Sequence, residues 1–331
     1  MVIEEILPEG QEIYEHITMK AMILAAGSGT RVLPLTHLRP KPLFPVYTVP
    51  LLGIIINQLR ETGIKDIVIN THHLSPKVDS YVQKNTPSGT TITLSHEPEL
   101  LGTGGAIKKV EEFWDDQPFM VINGDIIHTI DLNAAYQHHI KSENTATLIL
   151  HHYPRYNQVE IDQEGTIVGI REKKVKETSF PTRQLAFTGI HIISPRLLRE
   201  IPPDCYVDII PIYLKLISRG MKVGGYQVED HYWLDIGTPS DYHRIHRDIH
   251  QKKVKFNHPL PETASSFIGK NSVFDGYVCI GKNTTVGKNC KIKDSILWDK
   301  VEIQDNLTIE KCIIGDDVKV KQSIKNQVVV S

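Results

Sequence analysis

The fold of this chain follows from one stretch, AMILAAGSGTR at residues 21–31. Residues 21–26 are small or apolar and predict a buried strand. The glycines that follow predict a loop whose backbone N–H groups approach phosphate oxygens, because no side chain stands in the way. A strand that opens into such a loop indicates an α/β domain that binds a phosphorylated ligand.

The same alternation continues along the chain to about residue 250. Residues 50–62 predict a helix with its leucines and isoleucines on one side. Further strands are predicted at residues 66–70, 91–95, 119–122, 147–150 and 186–192. This rhythm predicts a Rossmann-like, mixed and mostly parallel sheet with helices on both faces.

Length and composition limit the classes of protein to consider. A chain of 331 residues exceeds one usual hydrophobic core, so two folded units are expected. No apolar run is long enough for a membrane helix, and a net charge of −2 offers no general attraction for nucleic acid or anionic lipid. Four scattered cysteines without a CxxC pair argue against a zinc ribbon or disulfide framework and favour a cytoplasmic protein.

A second domain is predicted after a polar, proline-punctuated linker. Beyond it, apolar residues recur at intervals of six, at Ile268, Phe274, Ile280, Val286, Ile292 and Trp298. Hexapeptide repeats build a left-handed parallel β-helix, with the apolar residue of each hexad pointing inward. The predicted organisation is an acidic extension at 1–18, the α/β domain at 19–250, the linker at 251–262 and the left-handed β-helix at 263–331.

Two cations follow the glycine-bearing loop within the same connection, Arg31 and Lys41. Arginine clamps a phosphate through two N–H groups and lysine adds a movable charge, so together they suit a triphosphate and its departing pyrophosphate. A dinucleotide fingerprint is disfavoured, because Val32 stands where its third glycine should be and Pro34 would disrupt the helix that should follow. A Walker A loop is excluded by spacing.

These motifs resemble those of the sugar-1-phosphate nucleotidyltransferase family, also called NDP-sugar pyrophosphorylases. The matching segments, in family order, are GxGTR, PLT and RPKPL between 27 and 43, LGTGGA at 101–106, NGD at 123–125, EK at 172–173, AFTG at 186–189 and WLDIGT at 233–238. The hexapeptide tail resembles that of mannose-1-phosphate guanylyltransferases and glucose-1-phosphate adenylyltransferases. The resemblance implies a nucleotide-diphospho-sugar transferase fold and the joining of a nucleoside triphosphate to a sugar 1-phosphate, with release of pyrophosphate.

The resemblance also implies a role for each matching residue. Arg31 and Lys41 would be catalytic, and Asp125 and Asp235 would hold Mg²⁺, a hard ion that suits carboxylate oxygens and substrate phosphates. The nucleotide would bind at Leu24, Ala25, Ala26, Gly27, Gly29, Thr30, Gly102, Thr103, Gly104 and Gly124. The sugar phosphate would bind at Glu172, Lys173, Thr188 and Gly189.

The sequence departs from the family pattern at one of these segments. The family places proline after Glu-Lys, whereas Lys174 stands there in this chain. Lys173 and Lys174 therefore both remain candidates for the contact with the sugar phosphate.

The substrates are predicted from the second glycine-rich segment and from the tail, which look most like those of guanylyltransferases. GTP and mannose 1-phosphate are the predicted pair, with UTP- or dTTP-dependent hexose-1-phosphate transfer or heptose-1-phosphate guanylylation as alternatives. A bifunctional acyltransferase is disfavoured, because no histidine follows His258 in the tail. A non-catalytic sensing relative is disfavoured because the charged site residues are all present. The tail is expected to join copies into a homo-oligomer.

A histidine-rich stretch follows the last matching segment. Thr238 and Pro239 predict a helix start, and His243, His246 and His250 follow at steps of three and four. They are predicted to lie on a surface helix and not to form a zinc site.

Overall fold

The computed structural model describes residues 19–176, 181–256, 260 and 264–331. The predicted extension at 1–18 and most of residues 257–263 within the predicted linker and tail lie outside the described residues. No helix in the described ranges is long and apolar enough to cross a membrane.

The first domain is built on one large mixed sheet. Its helices are α1 Leu51–Glu61, α2 Ser75–Asn85, α3 Gly102–Lys109, α4 Leu132–Ser142, α5 Ile209–Ser218 and α6 Pro239–His250. Its strands are β1 Ala21–Leu24, β2 Pro45–Val46, β3 Val49–Pro50, β4 Asp66–Thr71, β5 Thr91–His96, β6 Phe119–Asn123, β7 Ile126–His128, β8 Ala146–His151, β9 Asn157–Ile161, β10 Ile167–Ile170, β11 Lys173–Lys174, β12 Arg183–Ile193, β13 Val223–Gln227 and β14 Trp233–Asp235.

The sheet order runs β11-β10-β9-β12-β6-β1-β4-β5, with β8 beside β12 and β13 beside β8. Strands β6, β1, β4 and β5 are mutually parallel, whereas β12 pairs antiparallel with β6, β8 and β9. Leu24 pairs with Asn123, so the loops after β1 and β6 leave the sheet side by side. The prediction of a mixed sheet whose glycine-bearing loop follows a buried strand is confirmed.

Successive residues of the central strands point into two separate cores. Met22 and Val121 pack into the core on one face, and Ile23 and Ile122 into the core on the other. Because side chains alternate across a strand, a sheet covered on both faces needs continuous apolar runs. The run at 21–24 meets this requirement.

The second domain is a stack of short parallel strands. They are β15 Phe267–Ile268, β16 Val273–Ile280, β17 Thr285–Val286, β18 Lys291–Leu297, β19 Glu302–Ile303, β20 Thr308–Glu310, β21 Ile313–Ile314, β22 Lys319–Val320, β23 Ile324–Lys325 and β24 Val328–Val329. One sheet runs β15-β17-β19-β22 and another β23-β20-β18-β21-β24, with β16 on β18. Every pair in both sheets is parallel, as expected for a β-helix.

Two hexad residues depart from the predicted inward direction. Ile280, Val286 and Ile292 fill the core of the β-helix, but Phe274 is exposed and Trp298 packs against the first domain. Phe274 lies in the first described coil, where its strand β16 pairs with β18 and with no other strand in the described part of the chain. Trp298 instead fills the interface between the domains, and the six-residue period carries no information about that interface.

Candidate active site

The loop after β1 opens onto a cleft of about 300 Å³. The predicted site residues that line it are Leu24, Ala25, Ala26, Gly27, Gly29, Lys41, Gly102, Thr103, Gly124 and Asp125. Thr30 and Gly104, predicted to bind the nucleotide, are not among the described lining residues. The two glycine-rich segments, whose lining glycines Gly29 and Gly102 are 73 residues apart in the chain, thus face one cavity.

The two predicted cations lie next to the two predicted metal carboxylates. Lys41 Nζ lies 2.8 Å from Asp125 Oδ2, and Arg31 Nη2 lies 3.8 Å from Asp235 Oδ2. The Lys41 side chain is 8% exposed, whereas that of Arg31 is 60% exposed. Lys41 is therefore fixed inside the cleft, whereas Arg31 and Asp235 are not among its described lining residues.

A short pair of antiparallel strands brings the carboxylates of Asp125 and Asp235 together. Strand β14 pairs antiparallel with β7, which places Asp235 opposite Ile126, and the Ile236 N–H donates to the Asp125 carbonyl oxygen at 3.0 Å. Burial and the charge of Asp125 raise the pKa of Asp235 to about 6. A cation between the two carboxylates would relieve this cost.

These two carboxylates fit a magnesium ion. Asp235 Oδ1 is buried and has no hydrogen-bond partner, which is the state expected of a ligand oxygen without its ion. Within the described ranges, no group of three or more His, Cys, Asp or Glu side chains forms an all-protein metal cage. Magnesium commonly takes one or two carboxylates and completes its shell with water and phosphate oxygens.

The second glycine-rich segment packs closely on the loop before α5. The Gly104 N–H donates to the Val207 carbonyl oxygen at 2.8 Å, and the Val207 N–H donates to the Leu101 carbonyl oxygen at 2.8 Å. Gly102 has a φ of +69°, and a Cβ on it would lie 2.6 Å from the Val207 oxygen. The glycines are needed for this packing, which shapes one wall of the cleft.

Two polar residues that the sequence analysis did not identify tie the two glycine-rich segments together. Asn70 Oδ1 accepts from the Ala25 N–H at 2.7 Å, and its Nδ2 donates to Glu97 Oε1 at 2.8 Å. Glu97 Oε2 accepts from the Leu101 N–H at 3.0 Å. Asn70 and Glu97 are both buried, and Glu97 lines the cleft. Their position at the carboxyl ends of β4 and β5 was the available signal.

A second cavity of about 240 Å³ adjoins the first and shares Thr103 and Asn123 with it. Gly189 has a φ of +82°, and a Cβ on it would lie 2.5 Å from Asn123 Nδ2. Thr188 is buried, and its hydroxyl donates to the Ile149 carbonyl oxygen at 2.8 Å. Gly189 therefore leaves space for the Asn123 side chain, while the Thr188 hydroxyl binds the neighbouring strand β8.

The predicted sugar-phosphate contacts at Glu172 and Lys173 lie on an exposed edge. Neither belongs to the described lining of the two cavities, whereas their neighbour Arg171 lines the second one. Lys174 Nζ lies 3.8 Å from Glu160 Oε1. The role of Lys173 stays a prediction.

One expectation about the histidine-rich helix is wrong. His246 is fully buried, its Nδ1 lies 2.8 Å from Cys279 Sγ of the β-helix, and its ring stacks on Tyr47. Burial lowers the pKa of His246 to about 3. The β-helix covers the side of α6 that carries His246, so this part of the face assigned to solvent forms an interface, whereas His250 stays exposed.

The mixed sheet, with its glycine-bearing loop beside Lys41 and Asp125, is that of a sugar-1-phosphate nucleotidyltransferase. Residues 20–252 match the family model "Nucleotidyl transferase", and residues 260–331 match the model "GMPPB C-terminal domain". The chain belongs to the nucleotidyl transferase family.

Several known relatives are similar to this chain. The chain is 33% identical to the UTP–glucose-1-phosphate uridylyltransferase of Synechocystis sp. over 72% of its own length and 65% of the relative's. It is 26% identical to the mannose-1-phosphate guanylyltransferase of Mycobacterium tuberculosis over 88% and 83%. It is 28% identical to the D-glycero-alpha-D-manno-heptose 1-phosphate guanylyltransferase of Aneurinibacillus thermoaerophilus over 70% and 98%.

Solved structures match about 70% of the chain. HddC from Yersinia pseudotuberculosis complexed with GMP-PN is 26% identical, with a TM-score of 0.56 over 69% of this chain and 97% of that one. A putative glucose-1-phosphate thymidylyltransferase from Bacillus anthracis superposes with a TM-score of 0.60 over 72% and 98%, at 24% identity, and shows the fold alone.

Proposed function

We propose that this enzyme joins GTP and mannose 1-phosphate to form GDP-mannose and pyrophosphate. The matches to a guanylyltransferase over most of the chain and to the GMPPB C-terminal domain support this pair. The observation that carries the choice of base is the carboxylate of Glu97 in the lining of the cleft.

The Glu97 carboxylate suits guanine because guanine presents two neighbouring donors, N1–H and the N2 amino group. Each carboxylate oxygen of Glu97 already accepts one hydrogen bond from the protein, and each retains a second acceptor position. Uracil presents a single N3–H beside two carbonyl oxygens and would face the carboxylate less favourably. The complex of the HddC structure with GMP-PN supports a guanine nucleotide in this fold.

The chemistry needs positioning and charge neutralisation more than a protein nucleophile. The backbone N–H groups of the loop at 26–29 would hold the triphosphate, and Lys41 and Arg31 would stabilise the charge on the departing pyrophosphate. Asp125 and Asp235 would hold Mg²⁺, which when bound supplies a Lewis acid at the phosphates. A phosphate oxygen of the sugar 1-phosphate then attacks the α-phosphorus in line, and the bond to pyrophosphate breaks.

The sugar is proposed to bind in the second cavity. Thr103 and Asn123 line both cavities, so a sugar phosphate there lies next to the nucleotide cleft. Asn123 presents both donors and an acceptor to sugar hydroxyls. Lys173 or Lys174 would have to move toward this cavity to reach the phosphate.

The β-helix is proposed to join two copies of the chain. Phe267, Val273 and Phe274 form an exposed apolar set on its first described coil. Soluble proteins rarely leave such a patch uncovered. Phe274→Ser is expected to lower the molar mass measured by light scattering toward that of one chain; an unchanged mass would mean that the interface lies elsewhere.

A second candidate is UTP-dependent transfer to glucose 1-phosphate, favoured by the 33% identity to the Synechocystis uridylyltransferase. Glu97→Gln distinguishes the two, with Glu99→Gln as a matched control because Glu99 is exposed two residues away. We expect the ratio of kcat/KM for GTP to that for UTP to fall about 10- to 100-fold in Glu97→Gln and to stay unchanged in the control. Wild-type preference for UTP, or an unchanged ratio in Glu97→Gln, would refute the proposal for the base.

A further inference from the structure

The turn that carries Lys41 is bound to the β-helix through Arg39. Arg39, two residues earlier, donates from Nε to Asp316 Oδ2 at 2.8 Å and from Nη2 to Asp316 Oδ1 at 2.6 Å. Its Nη2 also donates to Asp299 Oδ2 at 2.7 Å. Both acceptors belong to the β-helix, so the contacts join segments more than 250 residues apart in the chain.

The position of the Arg39 guanidinium is fixed by burial and by several contacts at once. The Arg39 side chain is 16% exposed, and its guanidinium lies over the Trp298 ring at 5.1 Å from the centroid. The Asp299 N–H donates to Asp316 Oδ1 at 3.1 Å, which holds the two aspartates relative to each other. A bidentate, half-enclosed guanidinium defines direction as well as distance, unlike an exposed ion pair between two flexible side chains.

The other end of the turn is also anchored on the β-helix. Phe44 is fully buried and packs edge-on against Trp298, with ring centroids 5.0 Å apart. Trp298 Nε1 donates to the Tyr242 hydroxyl at 3.1 Å, which fixes the indole. Between the anchors, the Leu43 N–H donates to the Pro40 carbonyl oxygen and the Phe44 N–H to that of Lys41.

We propose that Arg39 is a positioning residue, through which the β-helix holds the turn at residues 40–44 so that Lys41 faces Asp125. The inference rests on the proposed catalytic role of Lys41. A charge that acts on the transition state loses effect when it shifts by a fraction of an ångström. The β-helix then contributes to catalysis within one chain, in addition to any role in assembly.

The kinetic test compares Arg39→Ala, Asp316→Asn and the double variant. We expect kcat to fall about 10- to 100-fold in each single variant, KM for both substrates to change less than about threefold, and the double variant to lose no more than the worse single one. Glu302→Gln is the control, because it breaks an exposed β-helix ion pair with Lys319. A kcat within twofold of wild type, or losses that multiply, would overturn the proposal.

Hydrogen exchange gives a readout that does not depend on substrate. The amides of Leu43 and Phe44 should exchange at least tenfold faster in both Arg39→Ala and Asp316→Asn, and at the wild-type rate in Glu302→Gln. Unchanged exchange in folded Asp316→Asn would overturn the proposal even if Arg39→Ala fails to fold. If wild type does not turn over GTP and mannose 1-phosphate, the kinetic arm uses the pair that it does turn over, so failure of the proposed substrates leaves this test intact.

Discussion

Lys41 Nζ and Asp125 Oδ2 lie 2.8 Å apart, although 84 residues separate them in the chain. The contact pairs a cation of the first connection with a carboxylate that follows β6. It lies at the wall of the cleft that the two glycine-rich segments share. The pair therefore joins the proposed triphosphate and metal sites.

Removing the charge of Lys41 should disable the chemical step. Lys41→Gln is expected to lower kcat about 10²- to 10³-fold, because one fixed charge aimed at the developing negative charge is lost. Stopped-flow or coupled measurement of pyrophosphate release gives the value. Lys65→Gln, at an exposed lysine, is the matched control and should match wild type. A Lys41→Gln enzyme within tenfold of wild type would rule out the proposed role.

Asp235 should weaken the folded state at neutral pH. The pKa of Asp235 is about 6 in the folded state and 3.8 in the unfolded state. Its contribution to the free energy of unfolding is therefore most favourable below pH 3.8 and is lost as the pH rises through 6. Asp235→Asn is therefore expected to raise the free energy of unfolding by about 1–3 kcal/mol at pH 7.5 and less at pH 4.5.

Urea unfolding in EDTA at the two pH values measures this difference. Added Mg²⁺ should stabilise wild type and leave Asp235→Asn nearly unaffected, since the variant lacks one proposed ligand. A variant less stable than wild type at pH 7.5 would contradict the account.

Gly189 should be needed for the position of Asn123. Gly189→Ala would strain a positive φ and bring its Cβ against Asn123 Nδ2, whereas Gly220→Ala would strain a similar φ of +78° in open space. We expect both variants to lose about 1 kcal/mol or more of stability, but only Gly189→Ala to lose about 10- to 100-fold in kcat/KM. Equal kinetics in the two variants would show that Asn123 does not contact substrate.

Buried histidines should make the fold sensitive to acid. Burial lowers the pKa of His191 and His246 to about 3, and that of His128 and His139 to about 4. An unfolded histidine takes up a proton near pH 6.5, so stability is full above that value and falls as pH drops toward 4. Urea unfolding between pH 7.5 and 5 should show this slope. Replacing exposed His250 with glutamine should leave it unaltered, while a flat profile would contradict it.

Local sequence signals were enough to predict the strand and loop at 21–31 and the parallel coils of the tail. Both predictions depend on patterns that repeat within a few residues along the sequence. The link through Asn70 and Glu97 was not predicted, because it depends on which strands lie beside β1. Trp298 and His246 were misplaced for a related reason: the packing of two domains buries faces that each domain's own period cannot assign.

The central claim is tested most directly by pyrophosphate release with Mg²⁺. GTP, UTP, dTTP, ATP and CTP are each offered with mannose, glucose, N-acetylglucosamine and heptose 1-phosphates, with Asp125→Asn as the matched inactive variant. The account predicts fastest turnover with GTP and mannose 1-phosphate and its loss in Asp125→Asn. Fastest turnover with another pair would contradict the proposed substrates, and equal turnover in Asp125→Asn would contradict the proposed site.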